Sequence, residues 1–98
     1  MVATPGSAHI WAIAVETPWL STAGTGDVLA GMMGSVIAQA RPTSHDRLAL
    51  ASAAAVFAHS RAGAIAARRS GATDHAIVAL DVADAAPMAI AEMWESEA

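Results

Sequence analysis

The sequence has 98 residues, of which 55% are hydrophobic and 14% are charged, and its formal net charge is −4. It has no cysteine, and its five positive residues are arginines that form no basic stripe, which disfavours a disulfide scaffold and nucleic-acid binding. No positively charged segment of a signal peptide opens the chain, and the longest apolar runs, such as residues 28–40, are too short to cross a bilayer. We therefore expect a cytoplasmic protein without membrane contact.

The first predicted element is a β-hairpin. Residues 2–4 form a short strand candidate, and the β-rich apolar run of residues 9–15 forms a second. Pro5-Gly6-Ser7 between them is a typical turn sequence. Trp19 and Leu20 are expected to anchor the loop that follows. The pattern places this hairpin at the edge of a sheet.

The first helix is predicted from about Asp27 to Ala40. Its large apolar residues cover a wide arc, which predicts burial on most sides; they are Val28, Leu29, Met32, Met33, Val36 and Ile37. Gly31 and Gly34 each weaken this helix by roughly 1 kcal/mol relative to alanine. We expect close packing against another element to compensate for that loss.

Two further helices are predicted. The second runs from about Ser44 to Arg69, and Thr43 with Asp46 resembles a capping box at its start. Its buried face is predicted from apolar spacing to contain Leu50, Ala54, Phe57, Ala58 and Ile65. The third follows the short apolar segment 77–80, with Asp81 as its N-cap, and Pro87 is expected to bend or divide it.

The stretch Ser21–Gly34 reads STAGTGDVLAGMMG and carries most of the functional information. Glycines let the backbone approach a ligand closely, and the first amides of a helix have no internal partner. Gly24, Thr25 and Gly26 before a helix therefore suit a phosphate, and the carboxylate of Asp27 can take a proton from a hydroxyl beside it. The alternative is a tight turn in which Asp27 caps the helix.

Other motifs and candidate sites are weaker. The Walker pattern needs a lysine, which the chain lacks, and the dinucleotide fingerprint needs a glycine where Leu29 stands. The four histidines, His9, His45, His59 and His75, have no metal-ligand spacing, so no metal site is predicted. His59 lies on a helix with a buried pattern and is expected to be a hydrogen-bonded core histidine.

The segment Ala23–Gly31, AGTGDVLAG, resembles the nucleotide-site signature of the ribokinase-like superfamily. More closely, it resembles the ADP-dependent NAD(P)H-hydrate dehydratases, whose domain is also described as carbohydrate-kinase-like. Further similarity lies in the strand and turn of residues 2–6, the approach at residues 19–22, the helix segment 56–63 with His59 and Gly63, and residues 77–87. The resemblance thus covers nearly the whole chain.

This resemblance implies an α/β, ribokinase-like fold, of which residues 1–98 would be the C-terminal portion, with an edge β-hairpin and about three helices. It implies dehydration of the S-epimer of NADHX or NADPHX, coupled to ADP or ATP hydrolysis with Mg²⁺. Carried over residue by residue, Gly24, Thr25 and Gly26 would form the anion hole for the phosphate. Asp27 would contact the hydrate and act as the catalytic base.

Two alternatives stay open from the sequence. The same loop and base would serve a ribokinase-like kinase of a small molecule. The chain could also be a non-enzymatic remnant that acts by associating with another chain. Because the family's upstream lysine segment and substrate residues are absent, we expect the chain alone to be inactive. Its surplus of apolar residues predicts a homo-oligomer or association with an N-terminal portion.

Overall fold

The computed structural model of the chain describes residues 2–8, 10–69, 71 and 74–97. The described elements are a two-stranded hairpin, a short 3-10 helix and three α-helices. In chain order they are β1 (Val2–Ala3), β2 (Ile10–Trp11), the 3-10 helix (Pro18–Ser21), α1 (Thr25–Ala40), α2 (His45–Ala67) and α3 (Ala79–Glu97). The predicted hairpin followed by three helices is therefore confirmed.

The hairpin is shorter than the sequence predicted. Its antiparallel register places Val2 opposite Trp11 and Ala3 opposite Ile10. The amide of Ser7 donates to the carbonyl of Thr4 at 3.0 Å, and Gly6 has a φ of +81°, the left-handed conformation that a type II turn requires after proline. Residues 13–15 have no residue of β1 opposite them and are not strand. His9, which the prediction included, lies outside the described residues.

Helix α2 forms the centre of the structure and packs against both α1 and α3. Its buried positions are mostly alanines, which let neighbouring helices approach closely; Ala49, Ala55, Ala62, Ala64 and Ala67 have no exposed surface. The predicted buried face of α2 was wrong at its two largest members. Leu50 is 53% exposed and Phe57 is 48% exposed, because the alanine face of α2 is the one that α1 and α3 cover.

The prediction that α1 is buried on most sides is also wrong for the described structure. Thr25 is its one buried residue, and its large apolar side chains are half-buried. The reason is geometric, since α1 packs mainly against α2 and leaves its other sides uncovered. Apolar side chains on α3 are likewise exposed, among them Leu80, Met88 and Ile90.

The helix termini differ from the predictions by a few residues. Ser44 rather than Thr43 caps α2, and its hydroxyl accepts from the amide of Arg47 at 3.1 Å. Asp46 instead accepts a hydrogen bond from the Ser7 hydroxyl, which ties the hairpin turn to α2. Asp81 lies in the first turn of α3, where its carboxylate accepts from the amide of Val78 at 2.8 Å. Helix α3 continues through Pro87.

Helix α2 is long and apolar enough to cross a membrane, by length and composition alone. With 23 residues, α2 is longer than the apolar run of residues 28–40, which the sequence analysis found too short to cross a bilayer. However, 61% of its apolar stretch is buried inside the fold, and core helices of folded domains can be equally long and apolar. The helix is thus weak evidence for a membrane span.

Candidate functional site

The loop of the candidate site turns at Gly24, the N-cap of α1. Gly24 has a φ of +91°, a left-handed conformation that other residues adopt at a cost. A Cβ at this position would lie 3.0 Å from the Cβ of Ala79 at the start of α3. Two constraints therefore favour glycine at position 24: the left-handed backbone conformation and the close approach of α3.

The first three amides of α1 differ in their pairing. The Thr25 amide donates to the carbonyl of Thr22 at 3.4 Å, and the amide of Asp27 donates to the carbonyl of Gly24 at 3.2 Å. The Gly26 amide has no hydrogen-bond partner among the described residues. Gly26 is exposed, and a Cβ there would meet nothing within 4 Å. An unpaired amide beside open space, at the positive end of a helix, is the geometry that binds a phosphate.

Asp27 is the third residue of α1 and is exposed. Gly24 occupies the N-cap position and no side chain makes a capping hydrogen bond there, so Asp27 is not the N-cap, although it is an acid of the first helical turn. Within the described part of the chain, its carboxylate has neither a salt bridge nor a hydrogen-bond donor. Asp27 thus presents a solvent-accessible carboxylate next to the Gly26 amide.

Thr25 fixes the loop through its side chain. It is 6% exposed, and its hydroxyl lies 2.6 Å from the Leu20 carbonyl and 3.0 Å from the Thr22 carbonyl. Because both neighbours are acceptors, the hydroxyl donates into the loop and does not face the open space. Of the predicted phosphate-binding groups, Thr25 therefore offers only its backbone.

Helix α2 holds the loop from behind. The Nε2 of His59 lies 2.9 Å from the Thr25 carbonyl, and His59 is 8% exposed. Burial lowers the pKa of His59 below its ordinary value, although the hydrogen bond to Thr25 opposes that shift. These contacts confirm the predicted buried, hydrogen-bonded histidine, and they place it against the candidate site.

Gly63, one turn further along α2, receives the side chain of Leu20. A Cβ on Gly63 would lie 2.7 Å from Cγ and Cδ2 of Leu20. Leu20 in turn packs against the core around Val82. Ser60 holds the chain before the loop, since its hydroxyl donates to the Ala14 carbonyl at 3.2 Å and accepts from the Glu16 amide at 3.3 Å.

Comparison with known proteins assigns the chain to a family. The profile described as NAD(P)H-hydrate dehydratase matches residues 1–86, most of the chain. The chain belongs to the NAD(P)H-hydrate dehydratase family.

A named relative agrees with that assignment. The bifunctional NAD(P)H-hydrate repair enzyme Nnr from Synechocystis sp. is 41% identical over 69 residues, which cover 70% of this chain. The same residues cover 12% of the relative, so the chain corresponds to a small part of that protein. No solved structure matches the chain.

In this NAD(P)H-hydrate dehydratase family member, the loop fits a phosphate but shows no ready-made metal site. Among the described residues, no group of three or more His, Cys, Asp or Glu side chains could hold a metal ion. The Asp27 carboxylate is the nearest acid in the loop, and a magnesium ion near it would need further ligands from the nucleotide and water.

An apolar cleft lies elsewhere. It has a volume of about 680 Å³ and is formed by the C-terminal half of α1, α2 and α3. Its lining includes Val36, Leu50, Ile90 and Met93 and one charged residue, Arg47. Volume alone does not mark a site, and this cleft lacks the converging polar groups that catalysis requires. We therefore regard the glycine loop as the candidate site.

The sequence analysis did not predict the contacts that support the loop. His59 and Ser60 were not linked to it, because His59 is 34 residues from Thr25 and Ser60 is 44 residues from Glu16. The one available signal was the resemblance of segment 56–63 to the family, since it includes His59 and Gly63.

Proposed function

We propose that this chain supplies the nucleotide-phosphate and base segment of an ADP- or ATP-dependent NAD(P)H-hydrate dehydratase. The reaction would return the S-epimer of NADHX or NADPHX to the reduced nicotinamide cofactor. Membership of the dehydratase family supports the reaction class. The observation that carries the site assignment is the unpaired Gly26 amide beside open space, with the exposed Asp27 carboxylate next to it.

The proposed role of the loop is to bind the phosphate that is transferred. The Gly26 amide would donate to a phosphate oxygen, and the N-terminus of α1 would favour its negative charge. The absence of side chains at Gly24 and Gly26 leaves the backbone accessible. Mg²⁺ would accompany the nucleotide and neutralise part of its charge.

The proposed role of Asp27 is to accept the proton of the substrate hydroxyl. That hydroxyl oxygen forms a bond to the terminal phosphorus of the nucleotide, its proton passes to the Asp27 carboxylate, and the shortened nucleotide leaves. The carbon–oxygen bond of the phosphorylated hydrate then breaks, and phosphate leaves with the bonding electrons. Loss of a proton from the adjacent ring carbon to solvent restores the ring double bond. Overall, the hydrate loses the elements of water and one phosphoanhydride bond of the nucleotide is hydrolysed.

We also propose that the chain adopts its part of a ribokinase-like domain and that further polypeptide completes the site. One loop is too little to bind both a nucleotide and a dinucleotide hydrate. Exposed apolar side chains and the half-buried α1 offer a surface for such a portion or for a second copy of the chain. On this proposal, the isolated chain does not convert NADHX.

Gly26 offers a sharp test of the phosphate role. A Cβ on Gly26 touches nothing in the structure, so Gly26→Val should leave the fold intact yet intrude on a bound phosphate. We expect it to weaken nucleotide binding more than Asp27→Asn does, measured by calorimetric titration of a chimera that carries this chain in a family enzyme. Gly31→Val is the matched control, since Gly31 is also a helical glycine of α1 without close neighbours.

Two results would contradict the proposal. The first is a Gly26→Val chimera that binds ADP and ATP as tightly as the Gly31→Val control. The second concerns the reaction class. A stable phosphorylated small molecule as the end product, instead of reduced cofactor and inorganic phosphate, would identify a ribokinase-like kinase.

A further inference from the structure

We propose that His59 is a positioning residue that orients the Thr25–Gly26 peptide so that the Gly26 amide faces the phosphate. The inference rests on the proposed function of the loop. His59 is buried in α2 and would act on the site through the Thr25 carbonyl, without contacting the ligand.

The first step is the identity of the donor. His59 Nε2 lies 2.9 Å from the carbonyl oxygen of Thr25, and a carbonyl oxygen only accepts hydrogen bonds. The ring nitrogen Nε2 must therefore carry a proton. Burial lowers the pKa of His59, so at neutral pH the ring supplies this donor in its neutral form.

The second step is the geometry of the peptide bond. The Thr25 carbonyl and the Gly26 amide belong to the same planar, trans peptide, so they point in opposite directions. By holding the Thr25 oxygen on the α2 side, His59 directs the Gly26 N–H away from α2. Gly26 itself is exposed, and a Cβ there would meet nothing within 4 Å, so the surroundings of this residue leave room for a ligand.

The third step is polarisation. A donor on the carbonyl oxygen of a peptide makes the amide of that peptide a stronger donor, because hydrogen bonds in a chain reinforce one another. The Gly26 amide has no partner among the described residues, so this strengthened donor would be available to a bound anion. His59 would thus act on a phosphate through one peptide group.

The surrounding contacts make this orientation rigid. The Thr25 hydroxyl donates to the carbonyls of Leu20 and Thr22, which fixes the other side of the same residue. The Leu20 side chain is seated on Gly63, one turn beyond His59 on α2. A loss of the His59 bond would therefore remove the donor on the Thr25 carbonyl while these contacts still hold the loop in place.

The wild-type chain gives a direct test of the first step. Long-range nitrogen–proton NMR correlations show which ring nitrogen of His59 carries the proton. We expect Nε2–H, with slow solvent exchange because the ring is buried. A neutral ring protonated only at Nδ1 would overturn the proposal, since a bare Nε2 cannot donate to Thr25.

Substitutions test the remaining steps. His59→Gln keeps an NH₂ donor at a similar reach, His59→Leu removes it, and His45→Leu on the exposed start of α2 is the control. The Gly26 amide resonance and its shift on titration with ADP are followed by NMR in the chimera that carries this chain in a family enzyme. We expect His59→Leu to move the Gly26 resonance and weaken ADP binding roughly 2- to 10-fold, the effect of one hydrogen bond, with His59→Gln close to wild type.

The outcomes separate this inference from the proposed function. Unchanged Gly26 resonance and ADP affinity in His59→Leu, with α2 amides still protected, would overturn the positioning role. A wild-type chimera whose loop amides do not respond to ADP would instead contradict the nucleotide function, and the Gly26 resonance would still report on His59. If His59→Leu unfolds α2, the wild-type tautomer measurement decides.

Discussion

The two ends of α1 are built from different chemistry. At its N-terminal end the helix begins with glycines, an unpaired amide and the exposed carboxylate of Asp27, and polar contacts to α2 hold the preceding loop. At its C-terminal half, Val36 and Ala40 face an apolar cleft that they share with Ile90 of α3. Nine residues separate Asp27 from Val36, which is roughly 14 Å along the helix.

This difference shows that a candidate catalytic site and an exposed apolar cleft need not lie at the same place in a fold. The N-terminal end combines the unpaired Gly26 amide with the adjacent exposed carboxylate of Asp27. The cleft has volume but no such combination of groups. Perturbing the N-terminal end should therefore change catalysis or the loop, whereas perturbing the cleft should change neither by much.

The largest effect is expected from Asp27→Asn, which removes the proposed base but leaves the backbone amides. In the chimera with a family enzyme, turnover should fall by roughly 10²–10⁴-fold, the range for a positioned base. Nucleotide affinity should change much less. Steady-state assays of NADHX conversion provide the measurement, and Asp84→Asn on the exposed side of α3 is the control. Near-normal turnover in Asp27→Asn would show that Asp27 is not the base and that the N-terminal end of α1 has no catalytic group of this kind.

The next effect compares Gly24 at the N-cap of α1 with Gly34 inside the helix. Gly24→Ala forces an alanine into φ +91° and sets its Cβ 3.0 Å from Ala79, so it should lower the free energy of unfolding by about 1–3 kcal/mol. Gly34→Ala has open space and a helical conformation, and should raise it by up to about 1 kcal/mol. Chemical denaturation of both variants gives the comparison. Equal effects of the two substitutions would argue against a strained turn at Gly24.

These glycines also show what the sequence could and could not predict. The turn at Gly24 and the exposed acid at Asp27 were predictable, because glycine and aspartate before an apolar run have few structural uses. The exposed Leu50 and Phe57 were not, because an alanine-rich helix looks apolar on more than one face. The contact of His59 with Thr25 depends on how α2 packs against α1, which local sequence patterns do not encode.

A smaller effect is expected at the cleft. Ile90 is 45% exposed, so Ile90→Ala removes little buried surface and should lower the free energy of unfolding by about 1 kcal/mol or less. ADP affinity should stay at the wild-type value, because the cleft is distant from the loop. Val82→Ala at a fully buried position of α3 is the comparison and should cost several times more. A marked loss of ADP binding in Ile90→Ala would show that the cleft and the loop form one site.

Lowering the pH is the mildest perturbation of the N-terminal end. The pKa of His59 is lowered in the folded chain, mainly by burial, so the folded state favours the neutral ring. The unfolded chain binds a proton more readily, and the contribution of His59 to stability is therefore complete above about pH 6.5 and is lost as the pH falls towards its folded pKa. As the pH falls from about 6.5 towards the folded pKa of His59, the denaturation midpoint should decline less in His59→Gln than in the wild-type chain. An identical decline in both proteins would assign the pH dependence to other groups.

The hydrogen bonds that shape the loop have a consequence for how the chain folds. His59 reaches back 34 residues to Thr25, and Ser60 reaches back 44 residues to Glu16. Contacts between distant residues form late, because the intervening chain must first lose its freedom. During synthesis the glycine loop emerges well before the segment that orients it. Its anion-binding geometry is thus a product of tertiary structure, and a peptide of residues 21–40 alone should lack it.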